Sequence, residues 1–93
     1  MYAIVSTVSL DPDRHSQSME ILSGSVVPGA QASPGFISGT WVHSADRSRG
    51  GSMELYETKE QAEAALAARQ PGPPPEAPVT MLTEDIMEVA ASA

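Results

Sequence analysis

The segment Phe36–His43 constrains this chain more than any other, because it is rich in the aromatic and β-branched residues that favour a β-strand. It follows the turn signal Pro34-Gly35. Side chains alternate between the two faces of a strand, so one face should carry Ile37, Gly39, Trp41 and His43, and the other Phe36, Ser38, Thr40 and Val42. Neither set is purely polar, although a sheet with one face in water should have one polar face. The sequence therefore predicts a strand that is covered on both faces.

A second strand should follow directly. Residues 44–51 are small or charged and favour a chain reversal, and residues 52–56 resume the alternation of a strand. With Phe36–His43 they predict an antiparallel hairpin. Helices can cover one face of such a sheet, and in a short chain a second copy of the molecule can cover the other, which predicts a symmetric homodimer. The alternative is that Ile37 and Trp41 are only partly exposed, as isolated apolar residues often are.

The first part of the chain predicts a strand followed by a helix. Tyr2–Leu10 alternates as a strand does, and Asp11 with Pro12 then supplies a helix N-cap and a proline at the first helical position. The side of this helix that should pack on the sheet carries residues at helical spacing, namely His15, Met19, Leu22 and Val26.

The end of this helix has two interpretations. Pro28 lacks the backbone N–H of a helical bond and Gly24 weakens the helix, which would end it near Val27. Alternatively, the helix continues through Pro28 with a kink and ends at about Ala32. We favour the second interpretation, because a structureless connection from there to Pro34 would be long for a compact domain.

A second helix is indicated by Thr58 and Gln61, which have the spacing of a capping box and precede an alanine-rich stretch. Its small residues should let the helix lie close to the sheet, while the stem of the arginine at its end covers apolar surface. The residues on this side are Ala62, Ala65, Leu66 and Arg69. The proline-rich residues 71–75 end the helix and form a stiff connector.

The last strand should span residues 77–91, with a bulge near Glu84 and Asp85. The whole order is strand, helix, strand, strand, helix, strand. It predicts an α+β, ferredoxin-like βαββαβ fold with a four-stranded antiparallel sheet and both helices on one face. At 93 residues, the chain is expected to form a single domain, residues 1–93.

Composition excludes several classes of function. The formal charge of -7, with only five Lys and Arg residues, argues against binding to nucleic acid or to an anionic membrane surface. There are no cysteines, so disulfides, thiolate metal sites and a cysteine nucleophile are not available. No stretch is long and apolar enough to cross a bilayer, and the N-terminus lacks the basic region of a secretory signal, so a cytoplasmic location is expected.

Five short motifs together resemble the antibiotic biosynthesis monooxygenase family, which lies within the dimeric α+β barrel superfamily. They are Pro34-Gly35-Phe36, Gly39-Thr40-Trp41, Glu54-Leu55-Tyr56, Thr58-Lys59-Glu60-Gln61-Ala62 and Ile86-Met87-Glu88-Val89. The resemblance runs through nearly the whole chain and implies a ferredoxin-like protomer whose sheet packs face to face with that of a second copy. It also implies an activity among those of the family, which include cofactor-free quinone-forming monooxygenases and haem-degrading enzymes.

The cofactor-free enzymes of this family rely on asparagine, tryptophan, tyrosine and arginine residues around a cavity. This chain contains no asparagine, and Trp41 approximately matches the tryptophan of the family's second strand. The resemblance thus leaves open whether the chain is catalytic.

Candidate site residues come from the first helix and from the strands of the hairpin. His43 is the histidine near the hairpin that can transfer a proton near neutral pH, and it should share a face with Trp41. His15 can reach the same face from the first helix, and Tyr56 can line the same pocket. The alternative is that His43 lies in solvent at a strand end and Trp41 fills the core or an interface. The histidines and carboxylates form no recognisable metal motif, and no cofactor is predicted.

Two hypotheses of different classes follow. In the first, the protein is a cofactor-free monooxygenase that acts on an aromatic or polycyclic molecule, with Trp41 and Tyr56 lining the pocket and His43 moving a proton. In the second, it is a non-catalytic dimeric module that binds a small molecule or serves a structural role. The lack of asparagine favours the second hypothesis, and the pairing of Trp41 with His43 favours the first.

Overall fold

The computed structural model describes residues 1–93 and contains one four-stranded antiparallel sheet with helices on one face. The strands lie in the order β2-β3-β1-β4, so the N-terminal strand is central. The α+β, ferredoxin-like arrangement predicted from the sequence is confirmed. Its elements are β1 (Tyr2–Leu10), a 3₁₀ turn (Pro12–Arg14), α1 (His15–Ile21), a π-helical segment (Leu22–Val26), α2 (Val27–Gln31), β2 (Phe36–His43), β3 (Arg49–Tyr56), α3 (Lys59–Ala68) and β4 (Val79–Glu88).

Residues 12–31 form one continuous helical run, which we call the first helical segment. It begins as predicted, with the Asp11 side chain accepting a hydrogen bond from the Asp13 N–H at 3.0 Å. It also continues through Pro28 to Gln31, which confirms the longer of the two interpretations. The π-helical turn explains how, since the Val27 N–H bonds to the Leu22 carbonyl five residues back. The widened turn before Pro28 accommodates a residue that cannot donate a helical hydrogen bond.

Strand β2 contains a bulge that changes the predicted distribution of its side chains. Phe36 pairs with Tyr56, and the next pair joins Ser38 to Leu55, so Ile37 is an extra residue. Phe36 therefore lies on the helical face, where its ring meets the Tyr56 ring edge-on at 5.9 Å. The prediction that Ile37 shares a face with Trp41, and Phe36 with the residues opposite, is wrong for this reason.

The hairpin and the last strand differ from the prediction in where β3 begins and where the bulge of β4 lies. Strand β3 begins at Arg49 rather than at residue 52, because the reversal is confined to a tight turn in which Asp46 accepts bonds from Ser44 and Ser48. The bulge of β4 lies at Leu82 and not near residues 84–85. Those two residues remain regularly paired with β1, so the predicted position of the bulge is wrong.

Helix α3 packs closely on the sheet and forms the core. The predicted capping box is present, since Thr58 Oγ1 accepts from the Gln61 N–H at 3.1 Å and Gln61 Oε1 accepts from the Thr58 N–H at 3.2 Å. The small side chains of α3 bring its backbone near the sheet, where the buried cluster consists of Ile4, Tyr56, Ala62 and Ala65. No helix of the structure is long and apolar enough to cross a membrane.

The opposite face of the sheet carries no helix, and we call it the outer face. The pairing registers place apolar side chains from three strands there, and they are largely exposed. These residues are Val42 (61% exposed), Met53 (50%), Leu82 (55%) and Met87 (50%). The two faces of the sheet thus meet different surroundings, a helical layer on one side and an uncovered apolar surface on the other.

Candidate functional site

A cavity of about 690 Å³ lies between the helical face of the sheet and the first helical segment. It exists because α1 and the π-helical segment stand away from the middle of the sheet, whereas α2 contacts β2 and α3 packs directly on the strands. The side with His15, Met19, Leu22 and Val26 was predicted to pack on the sheet, but Leu22 and Val26 line the cavity instead. Apolar side chains that define the cavity are Leu22 and Val26 from the helical segment and Val8, Trp41 and Met81 from the sheet.

The proline-rich connector closes one side of this cavity. Pro73 and Pro74 of the connector line it, and so does the buried Pro78, which lies between the connector and β4. Arg14 Nη1 donates a hydrogen bond to the Glu76 carbonyl oxygen at 2.9 Å, which ties the connector to the first helical segment. The connector was predicted only to span a distance, and in the structure it also forms one wall of the cavity.

Trp41 forms part of the cavity wall because of the residue two positions before it. Gly39 lies on the same face of β2, and a Cβ atom at that position would be 2.6 Å from the Trp41 ring. The missing side chain therefore leaves room for the indole to lie along the strand. Because Trp41 is the single tryptophan of the chain, its fluorescence reports on this cavity alone.

His43 and His15 lie together at one end of the cavity. The ring centroids are 5.1 Å apart and the rings meet at 77°, an edge-on contact between β2 and α1. His43 lines the cavity and is exposed, whereas His15 is half-buried behind it and does not line the cavity. His43 Nδ1 lies 2.9 Å from the Ser44 carbonyl oxygen, which can only accept, so this nitrogen is assigned as the donor. The other ring nitrogen, Nε2, is then free to accept a proton.

The surroundings of His15 hold its pKa below the ordinary value of 6.5. The largest cause is burial, followed by the positive charges of Arg47 and of a protonated His43. Folding therefore favours the neutral imidazole, so any stability contributed by His15 is complete above pH 6.5 and is lost as pH falls through the lower pKa of the folded state.

We expect an NMR titration to give His15 a pKa below 6.5 in the folded protein. Arg47→Gln should raise this value only part of the way, because burial remains the larger cause. Arg49→Gln is the matched control in the same hairpin and should leave the His15 titration unchanged. A His15 pKa at or above 6.5 in the parent protein would contradict the assignment.

Tyr56 does not line the cavity. Its ring is fully buried in the core beside α3, and its hydroxyl donates to Glu54 Oε1 at 3.3 Å. Burial, with the nearby Glu54 charge, raises the pKa of the Tyr56 hydroxyl above 10.0. The sequence indicated Tyr56 as a cavity residue, and the structure places it behind the wall, where it supports Glu54.

The most buried charge is a carboxylate that sequence reasoning did not single out. Glu54 is 1% exposed and binds Arg69 through two hydrogen bonds, Nη1 to Oε2 at 2.8 Å and Nη2 to Oε1 at 2.9 Å. Arg69 Nη1 also lies 3.5 Å from Glu84 Oε2. The bonds to Glu54 raise the pKa of the Arg69 guanidinium. All three residues line the cavity.

A signal for this network was present in the sequence. Glu54 alternates with Tyr56 on an inward-facing strand position, and Arg69 was predicted on the inner side of α3. An acid and a base that both fall on buried faces must pair.

No group of three or more histidine, aspartate and glutamate residues is arranged to hold a metal ion.

Solved structures share this architecture along their whole length. MhuD of Mycobacterium tuberculosis, a haem-degrading protein solved with two haems in its active site, has a TM-score of 0.72 at 14% identity, covering 100% of this chain and 99% of its own. SnoaB of Streptomyces nogalater, a cofactor-independent oxygenase, has a TM-score of 0.70 at 17% identity, covering 98% and 94%. The fold is that of the antibiotic biosynthesis monooxygenase-like proteins.

A third protein with this monooxygenase-like fold is the ActVA-Orf6 monooxygenase of Streptomyces coelicolor, solved with nanaomycin D. It has a TM-score of 0.67 at 19% identity, covering 99% of this chain and 89% of its own. No family model and no curated protein matches the sequence. The monooxygenase-like fold therefore rests on three-dimensional likeness, while the activity must be argued from the residues of the cavity.

Proposed function

We propose that the protein is a cofactor-independent monooxygenase that acts on a hydroxylated aromatic or polycyclic molecule. The observation that carries this proposal is the cavity of about 690 Å³, with Trp41 in its wall and the imidazole of His43 at one end. This volume lies within the range of small-molecule sites, about 300 to 1,000 Å³. SnoaB and the ActVA-Orf6 protein, which share the fold, are an oxygenase and a monooxygenase.

Trp41 and the segments around the cavity each have a part in the proposed binding. A flat ring system fits an apolar cavity in which the Trp41 indole offers a large rigid surface. The proline-rich connector and the first helical segment form other walls of the cavity, and a bound ring system would displace the water between them. Exclusion of water protects a reactive anion from unwanted protonation.

The proposed chemistry needs only the substrate, O2 and a base. His43 Nε2 accepts a proton from the hydroxylated ring system, and the electron-rich anion that remains reduces O2 directly. A ring CH2, that of an anthrone or of the keto tautomer of a naphthol, loses two C–H bonds and gains a C=O bond, one oxygen atom enters the product, and the other leaves as water. The substrate supplies all the electrons, so no metal or flavin is required. Because His43 is exposed, it can return its proton to solvent after each turnover.

The test is oxygen uptake with hydroxylated anthrones and naphthols. The proposal expects consumption of one O2 for each quinone formed, with no added metal or flavin. A parallel titration with haem measures the affinity for the ligand that MhuD, which has this fold, holds in its active site. Tight binding of the ring systems without oxygen uptake would replace the proposal with the second function.

The second function is that of a non-catalytic small-molecule-binding module. The specific observation in its favour is composition, because the chain has no asparagine, one of the residue types on which the cofactor-free enzymes of the resembled family rely. The same cavity and the same Trp41 wall would serve this function. Oxygen uptake is the measurement on which the two functions differ.

We further propose that residues 1–93 act as one domain of a homodimer, a dimeric α+β barrel in which two outer faces pack together. The support is the exposed apolar side chains of the outer face, which come from β2, β3 and β4 and include Val42 and Met53. A single soluble chain seldom leaves such a contiguous apolar surface in water. Packing of two sheets face to face is a common way to bury it.

Sedimentation equilibrium at micromolar concentration is expected to give about twice the chain mass of 9.7 kDa. Met53→Lys places a charge in the middle of the outer face and should shift the protein towards the monomer. Ala64→Lys, on the exposed side of α3, is the control and should remain dimeric. A parent protein that sediments as a monomer would rule out the barrel arrangement.

A further inference from the structure

A pair of serine hydroxyl groups lies beside Trp41 in the strand wall of the cavity. Ser6 of β1 and Ser52 of β3 are direct partners in the sheet, and their Oγ atoms are 2.6 Å apart. Ser52 also pairs with Trp41 of β2, so these three residues form one row across adjacent strands. All three line the cavity. The hydroxyl pair is therefore next to the indole against which the ring system is proposed to lie.

The hydroxyl pair has one hydrogen without a protein acceptor. A hydroxyl group donates a single hydrogen and can also accept, so the bond between the two groups uses only one of their two hydrogens. Neither hydroxyl makes another hydrogen bond in the protein. Ser6 is 7% exposed and Ser52 is half-buried, so we assign the free hydrogen to the more open Ser52. In this arrangement Ser6 donates to Ser52, and the Ser52 hydroxyl is available to an acceptor in the cavity.

The position of Ser52 relative to His43 suits a ring that carries a carbonyl group opposite its reacting CH2. His43 lies two residues beyond Trp41 on β2, which separates the two positions by about 6.6 Å along the strand. Because Ser52 is the partner of Trp41, the base and the free donor lie one such step apart on neighbouring strands. A flat ring against the indole can therefore present its CH2 to His43 and its carbonyl oxygen to Ser52.

The carboxylates near the hydroxyl pair are compensated by one guanidinium. Glu54 lies two residues beyond Ser52 on the same face of β3, and both of its oxygens are bound to Arg69. Glu84, the β4 partner of Ser6, also lies 3.5 Å from Arg69. A carbonyl oxygen is uncharged when it binds, so it meets no strong repulsion from these groups.

We infer that Ser52 is a catalytic hydrogen-bond donor to the ring carbonyl oxygen of the substrate, with Ser6 as the positioning residue behind it. The inference rests on the proposed monooxygenase function and adds the group that stabilises the anion. When His43 Nε2 removes a proton from the ring CH2, the C–H electron pair forms a C=C bond and the carbonyl π electrons move to oxygen. The bond from Ser52 strengthens as this oxygen gains charge, and the bond from Ser6 polarises the Ser52 hydroxyl in the same direction.

The first test is the binding of two probes that differ in one carbonyl group, 1-tetralone and tetralin. Isothermal titration calorimetry gives each dissociation constant, and the infrared C=O stretching frequency of bound tetralone reports hydrogen bonding directly. Ser52→Ala should weaken tetralone binding by about tenfold and leave tetralin binding unchanged, because only the ketone uses the hydroxyl. The C=O frequency of bound tetralone should be higher in this variant than in the parent.

The second test is oxygen uptake with a hydroxylated anthrone. Ser52→Ala should lower turnover by about 10²-fold, the usual loss for one such donor. Ser52→Thr keeps the hydroxyl and should recover most of this rate. Ser6→Ala should cause a smaller loss and should weaken the binding of tetralone but not of tetralin, whereas a purely structural role of Ser6 would weaken both alike.

The chain offers a matched control in a second hydroxyl pair. Thr7 Oγ1 and Thr83 Oγ1 are also 2.6 Å apart, between β1 and β4, but they lie outside the cavity. Thr83→Val removes one hydroxyl of that pair with little change of shape. It should leave turnover and the affinities for both probes unchanged.

The outcomes separate this inference from the proposed function. If Ser52→Ala binds tetralone with the affinity and C=O frequency of the parent, the inference is overturned while the proposed function stands. If the parent consumes no oxygen but Ser52→Ala loses affinity for tetralone alone, the hydrogen bond is supported and the monooxygenase function is wrong. If neither probe binds the parent, both are wrong. Should Ser52→Ala not fold, Ser6→Ala decides, since unchanged tetralone binding in that variant would overturn the inference.

Discussion

His43→Gln is expected to lower the rate of oxygen uptake by about 10²- to 10⁴-fold, the usual contribution of a positioned general base. Glutamine keeps hydrogen-bonding ability but cannot exchange a proton near neutral pH. The affinity for the ring system should change little, because His43 lies at the end of the cavity and not along the Trp41 wall. Turnover by an oxygen electrode and affinity by calorimetry separate the two effects.

Two further variants serve as controls for this result. His15→Gln should reduce turnover far less, because His15 contacts the His43 ring but does not line the cavity. Trp41→Phe should weaken binding instead, since it reduces the apolar wall, and the affinity of this variant must be measured without tryptophan fluorescence. Equal turnover in the parent and in His43→Gln would reassign His43 to the solvated end of its strand and favour the binding module.

Arg69→Met is expected to destabilise the folded protein by about 3 to 5 kcal/mol, as the loss of one partner of a buried ion pair usually does. Glu54 is 1% exposed, so its carboxylate would be left in the interior without its two charged hydrogen bonds. The methionine retains the apolar stem, and the loss therefore reports mainly on the guanidinium. Urea unfolding at one fixed protein concentration measures the change in the free energy of unfolding.

The double variant Glu54→Gln/Arg69→Met should recover part of this loss, because a neutral side chain no longer requires a counter-ion and still accepts from the Tyr56 hydroxyl. Arg49→Met, at an exposed position of β3, is the control and should cost little. If Arg69→Met unfolds at the same urea concentration as the parent, the ion pair contributes no net stability and its role is confined to the cavity.

Most of the fold followed from local patterns in the sequence. The capping box at Thr58 and the Asp11-Pro12 start are chemical signals that need no tertiary information, and both helices begin where these signals lie. The bulges at Ile37 and Leu82 were different. A bulge is decided by the pairing of two strands distant in sequence, so the alternation within one strand cannot reveal it.

Only part of the candidate site could be predicted from the sequence, for the same reason. Trp41 and His43 were found together because they lie beyond the bulge, where simple alternation holds. The network of Glu54, Arg69 and Glu84 was missed because it joins two strands and the end of a helix. The sequence indicated that the Arg69 stem covers apolar surface, but it could not show that the charged end reaches buried acids.

The unequal spacing of the two helical layers has a consequence for how such a chain can change over evolutionary time. Helix α3 lies tightly on the sheet through Ala62 and Ala65, whereas α1 and the π-helical segment lie across the cavity from it. Substitutions in the closely packed half alter whether the chain folds, and substitutions in the distant half alter what fits beneath it. Substitutions in the first helical segment can therefore change which ligand the cavity binds, while the packing of α3 maintains the stability of the fold.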